Sequence, residues 1–331
     1  MGEWQGLMFF VFQCPKHEAY SKYTCEEGAT TNDEKSAEKI DGGMKLVDRS
    51  IITECLTIAQ KQRLAELSAP EDELCAVFSD ISQRDAFFKE REKFHTDLNR
   101  HKITEALENN SRPLILEIES ALSEWMMYKQ KFTQVVTPTF ITADMLSRMN
   151  IDQGHPLAAQ VFWLDDKRCL RPMLAPNLYT LMGSLRKITR QPVRIFECGS
   201  CFRKESQGAS HLNEFTMLNF VELAGVSDGS QMQRLTELAR GAMSALDIAE
   251  YEIVVEKSEV YGETIDIIAG GEEIASGAYG PHPLDDNWRI SDVWVGIGFG
   301  IERIAMIKGK YQNIRRVGKG LGYLGGARLN V

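Results

Sequence analysis

Long apolar runs are missing from this sequence. No stretch approaches the ~20 consecutive apolar residues that are needed to cross a bilayer. The apolar segment at residues 7–12 is too short for the core of a signal peptide, and no basic residue precedes it. We therefore expect a cytoplasmic protein with no membrane partner.

The cysteines of this sequence lack the spacing that zinc binding or a disulfide framework needs. The seven cysteines are an odd and scattered set, as expected in a reducing compartment. Cys198 and Cys201 form a lone CxxC pair, and no second pair or nearby histidine pair completes a zinc site. Since they lie three residues apart on a predicted strand, their thiols should face opposite sides. We predict neither a zinc site nor thiol redox chemistry.

Acidic residues are absent from the end of the chain, although the whole chain is acidic. The formal net charge is −9, yet residues 303–331 contain seven Lys or Arg and no Asp or Glu. A basic end on an acidic body can hold phosphate locally while the rest repels nonspecific nucleic acid. The predicted helix at 83–108 carries further basic residues, and a solvated helix face explains both stretches equally well.

Large apolar residues are nearly absent from the segment between Tyr23 and residue 43. Such a segment cannot bury a core, so residues 1–43 are predicted to be a disordered tail. Apolar residues at helical spacing begin at Ile51, and residues 44–110 are predicted to be a helical region. The main domain is predicted at 111–331.

A strand–loop–strand segment carries the first candidate site. Apolar strands are predicted at 193–203 and 215–223, with a polar loop between them. Arg203 and Glu205 are two residues apart and should share one face. They are either a solvated cross-strand pair or a nucleotide site, because Arg suits phosphate and Glu accepts from an amine such as that of adenine.

The second candidate site lies where glycines alternate with apolar residues before a helical run. Gly296, Gly298 and Gly300 would let a backbone or ligand approach closely, and Arg303 would add positive charge near a helix N-terminus. A glycine-softened core strand is the plainer interpretation. A dinucleotide fingerprint is disfavoured because the third glycine has the wrong offset.

The order of the remaining patterns favours an α+β fold with an antiparallel sheet flanked by helices. The further predicted strands are 132–136, 161–164, 168–171, 251–255, 264–269, 272–279 and 294–300. The further predicted helices are 113–128, 142–149, 177–188 and 231–246.

These motifs together resemble class II aminoacyl-tRNA synthetases. The helix at 113–128 and the strand leading to Pro138 resemble motif 1, the segment around Arg203 motif 2, and the segment from Gly296 to Arg303 motif 3. Residues 169–179, 203–219, 260–264 and 294–300 are similar to the catalytic domain of the pyrrolysyl-tRNA synthetase family. The similarity covers about 280 residues, from Ile51 to the end.

The resemblance implies that ATP and Mg²⁺ take part in forming an aminoacyl-adenylate of pyrrolysine or a related Nε-acyl lysine, which is then transferred to tRNA. It implies that Arg203 holds the α-phosphate and Arg303 the γ-phosphate, and that Glu205 binds the adenine amine. The full ATP set that it implies is Arg203, Glu205, His211, Leu212, Phe215 and Arg303. The implied Mg²⁺ ligands are Glu273 and Ser276, whose oxygens suit a hard cation.

The resemblance also implies a deep apolar pocket for the amino acid, in which Asn219 would bind the side-chain amide. Its residues would be Ala175, Leu178, Tyr179, Met182, Asn219, Val221, Tyr261, Ala278, Trp294, Gly296 and Gly298. By spacing alone, Leu178, Tyr179 and Met182 would be plain helix core.

The chain departs from the family in ways that bear on substrate choice. Val221 stands where Cys is frequent, and Gly277 and Ala278 stand where larger aliphatic residues are usual. Two alternatives therefore remain open: another class II ligase, of phenylalanyl or phosphoseryl type, or a silent synthetase-like RNA-binding protein. The resemblance further implies a homodimer, tRNA contact by residues 44–110, no DNA partner and a separately encoded tRNA-binding protein as a possible partner.

Overall fold

The structure is a computed structural model that describes residues 54–205, 211–258 and 262–331. The described residues divide into two compact units, 54–93 and 94–331. No helix in these ranges is both long and apolar enough to cross a membrane. Residues 1–53, including the predicted tail, lie outside the described ranges, and tRNA contact by residues 44–110 stays a prediction.

The smaller unit packs short elements around a few apolar side chains. Its elements are β1 (Glu54–Cys55), α1 (Ile58–Glu66), α2 (Glu71–Leu74), β2 (Val77–Phe78) and the first part of α3 (Ile81–Glu108). A capping box between Thr57 and Gln60 starts α1. The buried residues of its core cluster are Leu56, Leu64, Ala69 and Leu74.

The larger unit is built on a seven-stranded sheet. Its helices are α4 (Leu114–Glu124), α5 (Ala143–Arg148), α6 (Pro156–Gln160), α7 (Ala175–Ile188), α8 (Gln231–Ala245) and α9 (Ile301–Lys308). Its strands are β3 (Thr133–Gln134), β4 (Phe140–Thr142), β5 (Arg168–Leu170), β6 (Val193–Phe202), β7 (Glu214–Leu223), β8 (Glu252–Ser258), β9 (Gly262–Ala269), β10 (Glu272–Gly280), β11 (Trp294–Gly300), β12 (Tyr323–Leu324) and β13 (Ala327–Arg328). The sheet order is β3-β6-β7-β11-β10-β9-β8.

Both faces of the sheet are buried at its central strands, β7 and β11, and strand alternation sorts the side chains between the two faces. On β7, Val221 packs into one cluster with α7, whereas Phe220 packs into the other with α4, α8 and α9. Cys201 belongs to the first cluster and Cys198 packs against the second, which confirms that the two thiols face opposite sides. The predicted α+β class with flanking helices is confirmed.

The structure refines two sequence expectations about elements and shows that a third, the strand at 161–164, is wrong. The sheet is not wholly antiparallel, because β3 pairs with β6 in parallel. Residues 161–164 do not form a strand, since Asp165 accepts the backbone N–H groups of Lys167 and Arg168 and closes a turn that leaves a single bridge at Trp163. The helix predicted at 113–128 is α-helical only to Glu124 and ends in a π-helical turn, Trp125–Lys129.

Candidate active site

One cavity collects the six residues predicted to bind ATP. It lies where β6 ends, β7 begins and α9 starts. Its wall consists of Arg203, Glu205, His211, Leu212, Phe215, Gly300, Glu302, Arg303 and Ile314. The strand–loop–strand and glycine–helix segments of the sequence therefore meet at one place, and the individual roles toward ATP stay predictions.

Arg203 is held rigidly although it lies just beyond β6. Its N–H donates to Asn213 O (3.0 Å), which extends the strand pairing, and its Nε donates to Pro172 O (2.9 Å). The guanidinium lies 5.1 Å from the centroid of the Phe215 ring, within cation–π range. Burial lowers the pKa of Arg203, the signature of a cation held out of water.

Arg303 brings a second buried cation to the same cavity. It is the third residue of α9, and its Nη1 donates to Glu273 O on β10 (2.9 Å). The charge of Arg303 contributes to the lowered pKa of Arg203, after the larger effect of burial. An anion bound between the two guanidinium groups would offset the repulsion of Arg203 by Arg303.

Glu302 fixes the junction between β11 and α9. Both of its carboxylate oxygens accept the Thr216 N–H, at 2.9 and 2.8 Å. Burial raises the pKa of Glu302 to about 7. The sequence motif pointed to Arg303 beside it and gave no signal for this contact, because the partner is 86 residues away.

The two predicted metal ligands lie close to a carboxylate that the sequence analysis missed. Ser276 Oγ donates to Asp266 Oδ1 on the neighbouring strand (2.7 Å). Glu273 is 6% exposed, and its Oε1 has no hydrogen-bond partner among the described residues. Burial and then the charge of Asp266 raise the pKa of Glu273 to about 8. Such an orphaned oxygen fits a Mg²⁺ ion.

The donor set suits an ion that is shared with a substrate. No cluster of three or more His, Cys, Asp or Glu side chains in the described ranges is arranged to hold a metal. Mg²⁺ is usually bound by one or two carboxylates together with substrate phosphates, and not by a complete protein cage. Glu273 and Ser276 match that pattern.

The predicted amino-acid residues form one buried group on the opposite side of β7 from Phe220. The cluster on that face contains Ala175, Leu178, Tyr179, Met182, Val221, Ala278 and Trp294. On β11, Gly296 pairs with Val221 and Gly298 with Asn219. A Cβ at Gly296 would lie 2.8 Å from Phe220 O, so a glycine is required there for strand packing as well as for room.

Asn219 is the polar exception among these residues. It is fully buried, and neither Oδ1 nor Nδ2 has a hydrogen-bond partner within the part of the chain that the structure describes. An unsatisfied buried amide costs roughly 1–3 kcal/mol. A ligand or a water with matching groups would recover that cost. Tyr261, the remaining predicted pocket residue, lies outside the described residues.

A second cavity of about 460 Å³ adjoins the first and shares Glu205, His211 and Leu212 with it. Its other wall comes from the basic end of the chain. That wall includes Arg315, Lys319, Tyr323 and Arg328. The sequence signal was the run of basic residues without acids, which indicated phosphate binding without showing where these side chains would lie.

Comparison with known proteins shows which family shares this fold. A family model described as tRNA synthetases class II core domain (F) matches residues 94–258. A crystal structure of pyrrolysyl-tRNA synthetase from Desulfitobacterium hafniense is 48% identical, has a TM-score of 0.79, and is matched over 84% of this chain and 99% of that one. A second structure from the same organism is 46% identical, also at 0.79, over 87% of this chain and 100% of that one.

Curated relatives are more distant. Phenylalanine–tRNA ligase alpha subunit of Mycoplasma pneumoniae is 28% identical over 109 residues, which is 31% of this chain and 32% of that protein. O-phosphoserine–tRNA(Cys) ligase of Methanospirillum hungatei is 25% identical over 167 residues, or 46% of this chain and 30% of that protein. The chain thus spans about a third of the length of the curated relatives that it matches.

The fold and the site define a class II aminoacyl-tRNA synthetase core. Within that class, the near-complete match to the two solved structures identifies the family of this chain. The chain belongs to the pyrrolysyl-tRNA synthetase family, whose members are aminoacyl-tRNA ligases.

Proposed function

We propose that this protein attaches pyrrolysine, or a closely related Nε-acyl lysine, to its tRNA at the expense of ATP. The amino-acid carboxylate attacks the α-phosphate, and pyrophosphate leaves. A hydroxyl of the terminal ribose of tRNA then attacks the adenylate carbonyl, and AMP leaves. Asn219 is the observation that supports this choice of substrate. Its side-chain amide is fully buried beside the apolar residues of the predicted pocket and has no partner among the described residues.

The ATP half of the reaction needs positioning and charge neutralisation and little covalent work from the protein. Arg203 and Arg303 supply two desolvated cations in one cavity, for the α- and γ-phosphates. Glu205 accepts from the adenine amine, Phe215 offers a ring for stacking, and His211 with Leu212 forms the outer wall. Mg²⁺ held by Glu273 and Ser276 would neutralise phosphate charge.

The amino-acid half of the reaction rests on shape and on one polar contact. A phosphoserine pocket needs several cationic or hydroxyl groups, whereas the buried group here contains no cation and its Tyr179 hydroxyl already donates to Asp285. A phenylalanine pocket gives Asn219 no partner. A bulky ring on a long chain differs from every standard side chain by more than the ~1–3 kcal/mol that one methylene provides, so no separate editing site is needed.

The second cavity is our candidate for the phosphates at the end of the tRNA. Arg315, Lys319 and Arg328 surround it, and His211 connects it to the ATP cavity. An RNA end bound there would be next to the adenylate. The homodimer, in which motif 1 would form the interface, the cytoplasmic location and a separate tRNA-binding partner are further parts of this proposal.

ATP–pyrophosphate exchange across an amino-acid panel tests the proposal. We expect exchange with pyrrolysine or other Nε-acyl lysines and none with phenylalanine or phosphoserine. Exchange with only phenylalanine or only phosphoserine would identify a different class II ligase. No exchange with any amino acid would support a silent synthetase-like protein.

Asn219→Ala tests the pocket directly. Losing the one directional contact should reduce kcat/KM for an Nε-acyl lysine by the equivalent of ~1–3 kcal/mol. A bulky aromatic amino acid should be accepted better, since the change opens volume beside Val221, on the same face of β7. Equal losses for both substrates, with a lowered melting temperature, would mean that Asn219 only stabilises the fold.

A further inference from the structure

Asp285 is a buried carboxylate that none of the predicted roles uses. It lies in the 3₁₀ helix Pro283–Trp288 and is 1% exposed. Tyr179 Oη donates to its Oδ1 at 2.9 Å. Trp294 Nε1 and His282 N donate to its Oδ2, each at 2.9 Å. One carboxylate therefore holds two aromatic side chains of the predicted amino-acid pocket, Tyr179 and Trp294.

Apolar packing alone would leave these rings some freedom. The Tyr179 ring stacks on Trp288 at a centroid distance of 5.2 Å and 20°, and meets Trp294 edge-on at 5.8 Å and 78°. Stacked rings can slide over each other at little cost, because dispersion is not directional. A hydrogen bond at the tip of each ring is directional, and Asp285 accepts both of these bonds.

His282 restricts Tyr179 from a second direction. Its Nδ1 accepts the Leu284 N–H (3.1 Å), so the neutral ring carries its proton on Nε2, which lies 3.4 Å from Tyr179 Oη. Burial lowers the pKa of His282 to about 4, which keeps the ring neutral near pH 7. The phenol oxygen thus faces an N–H, and its own proton is directed to Asp285.

The neighbouring backbone leaves room for this arrangement. A Cβ at Gly280 would collide with both Trp294 Nε1 and Asp285 Oδ2. Glycine at this position lets the indole N–H and the carboxylate meet beside the main chain. Asp285 is not among the residues that line the ATP cavity.

We propose that Asp285 is a positioning residue for recognition of the amino acid, and that it acts by fixing the side chains of Tyr179 and Trp294 in the wall of the pocket. The inference rests on the proposed function, since it states that Asp285 sets the shape of the site that receives the long side chain of the amino-acid substrate. It goes beyond that function, because Asp285 itself touches neither reacting substrate.

Asp285→Asn tests the inference with little change in volume. The amide nitrogen cannot accept a hydrogen bond, so at least one donor loses its acceptor: Tyr179 Oη if the nitrogen replaces Oδ1, or both Trp294 Nε1 and His282 N if it replaces Oδ2. In ATP–pyrophosphate exchange we expect the KM for an Nε-acyl lysine to rise about tenfold, the equivalent of one hydrogen bond. The KM for ATP should stay the same. Asp286→Asn, an exposed change at the next residue of the same helix, is the matched control and should leave both constants unchanged.

A double-mutant cycle separates positioning from general stabilisation. If Asp285 acts through the Tyr179 hydroxyl, Asp285→Asn should have a smaller effect on the amino-acid KM in a Tyr179→Phe background. Independent effects, or an equal rise in both KM values with a lowered melting temperature, would overturn the inference.

The exchange assay tests the proposed function separately from the role of Asp285. Absence of exchange by the unchanged protein with every Nε-acyl lysine would refute the function and, with it, the inference. Normal exchange by the unchanged protein, together with an unaltered KM in Asp285→Asn, would refute only the role of Asp285.

Discussion

At the scale of single residues, the ATP cavity concentrates buried charge. Arg203 is 2% exposed and Arg303 is 7% exposed, and their guanidinium groups donate to backbone carbonyls, Pro172 O and Glu273 O respectively. These contacts fix the guanidinium groups before any substrate arrives. Preorganised cations in a desolvated site stabilise developing charge far better than mobile cations in water.

Arg203→Ala and Arg303→Ala should each abolish adenylate formation. Each change removes a charge-assisted contact with phosphate, and losses of at least about a hundredfold in kcat are typical when one such group is deleted. Pyrophosphate exchange measures the loss, and a thermal melt shows whether the fold survives. Arg190→Ala, at an exposed arginine, is the control. Near-normal exchange in either variant would contradict the ATP assignment.

Glu302 should make stability depend on pH. Its pKa is raised to about 7, above the usual value of 4.5, so between these values the native state binds more protons than the unfolded chain. This contribution to the free energy of unfolding is complete below about pH 4.5 and is lost as the pH rises through 7.

Chemical denaturation of Glu302→Gln and of the unchanged protein across this window measures the effect. Because glutamine does not ionise, the stability of the variant relative to the unchanged protein should increase from pH 4.5 to pH 7 and then level off. A difference that stays constant with pH would show that Glu302 is ionised throughout.

At the scale of elements, a buried ion pair joins the residue after β5 to β6, and hydrogen bonds extend it to the segment after β3 and to α7. Arg171 Nη1 and Glu197 Oε1 are 2.7 Å apart, and both side chains are 2% exposed. Thr137 donates to both oxygens of Glu197, and Asn177 Nδ2 donates to Thr137 Oγ1. This network anchors the chain just before Pro138, the end of the segment that resembles motif 1.

Glu197→Ala should lower the free energy of unfolding by about 3–5 kcal/mol, because it leaves the Arg171 guanidinium buried without its counter-ion. The exposed pair between Arg168 and Asp165 offers a matched control, and Arg168→Ala should cost less than about 1 kcal/mol. Urea denaturation measures both. Equal costs would mean that the buried pair contributes no more than a surface contact.

Elements with a regular local pattern could be predicted, and contacts between distant residues could not. The strands at β6, β7 and β11 follow from alternating or continuous apolar residues. The segment at 161–164 is equally apolar, but the turn closed by Asp165 prevents a strand there. The contact between Ser276 and Asp266 spans 10 residues and that between Tyr179 and Asp285 spans 106, so no local pattern indicated either of them.

At the scale of the whole molecule, composition makes a prediction about the first part of the chain. Residues 1–43 contain few large apolar residues after Tyr23. Removing them should leave the melting temperature and tRNA charging almost unchanged. Calorimetry and an aminoacylation assay on the shortened chain measure both. A fall of several degrees, or loss of charging, would show that this segment contributes to the fold or to tRNA binding.

The position of β11 in the sheet has a consequence for biosynthesis. This strand lies between β7 and β10, although it follows both in the chain. Until the ribosome has released residue 300, β7 and β10 each present an open edge of unpaired N–H and C=O groups. Nascent or prematurely terminated chains therefore carry two incomplete half-sheets with the apolar clusters uncovered, a form prone to aggregation and a natural target for chaperones. Because Arg303 closely follows β11 in the chain, the strand that fills the central gap also brings Arg303 to the cavity that we propose for ATP.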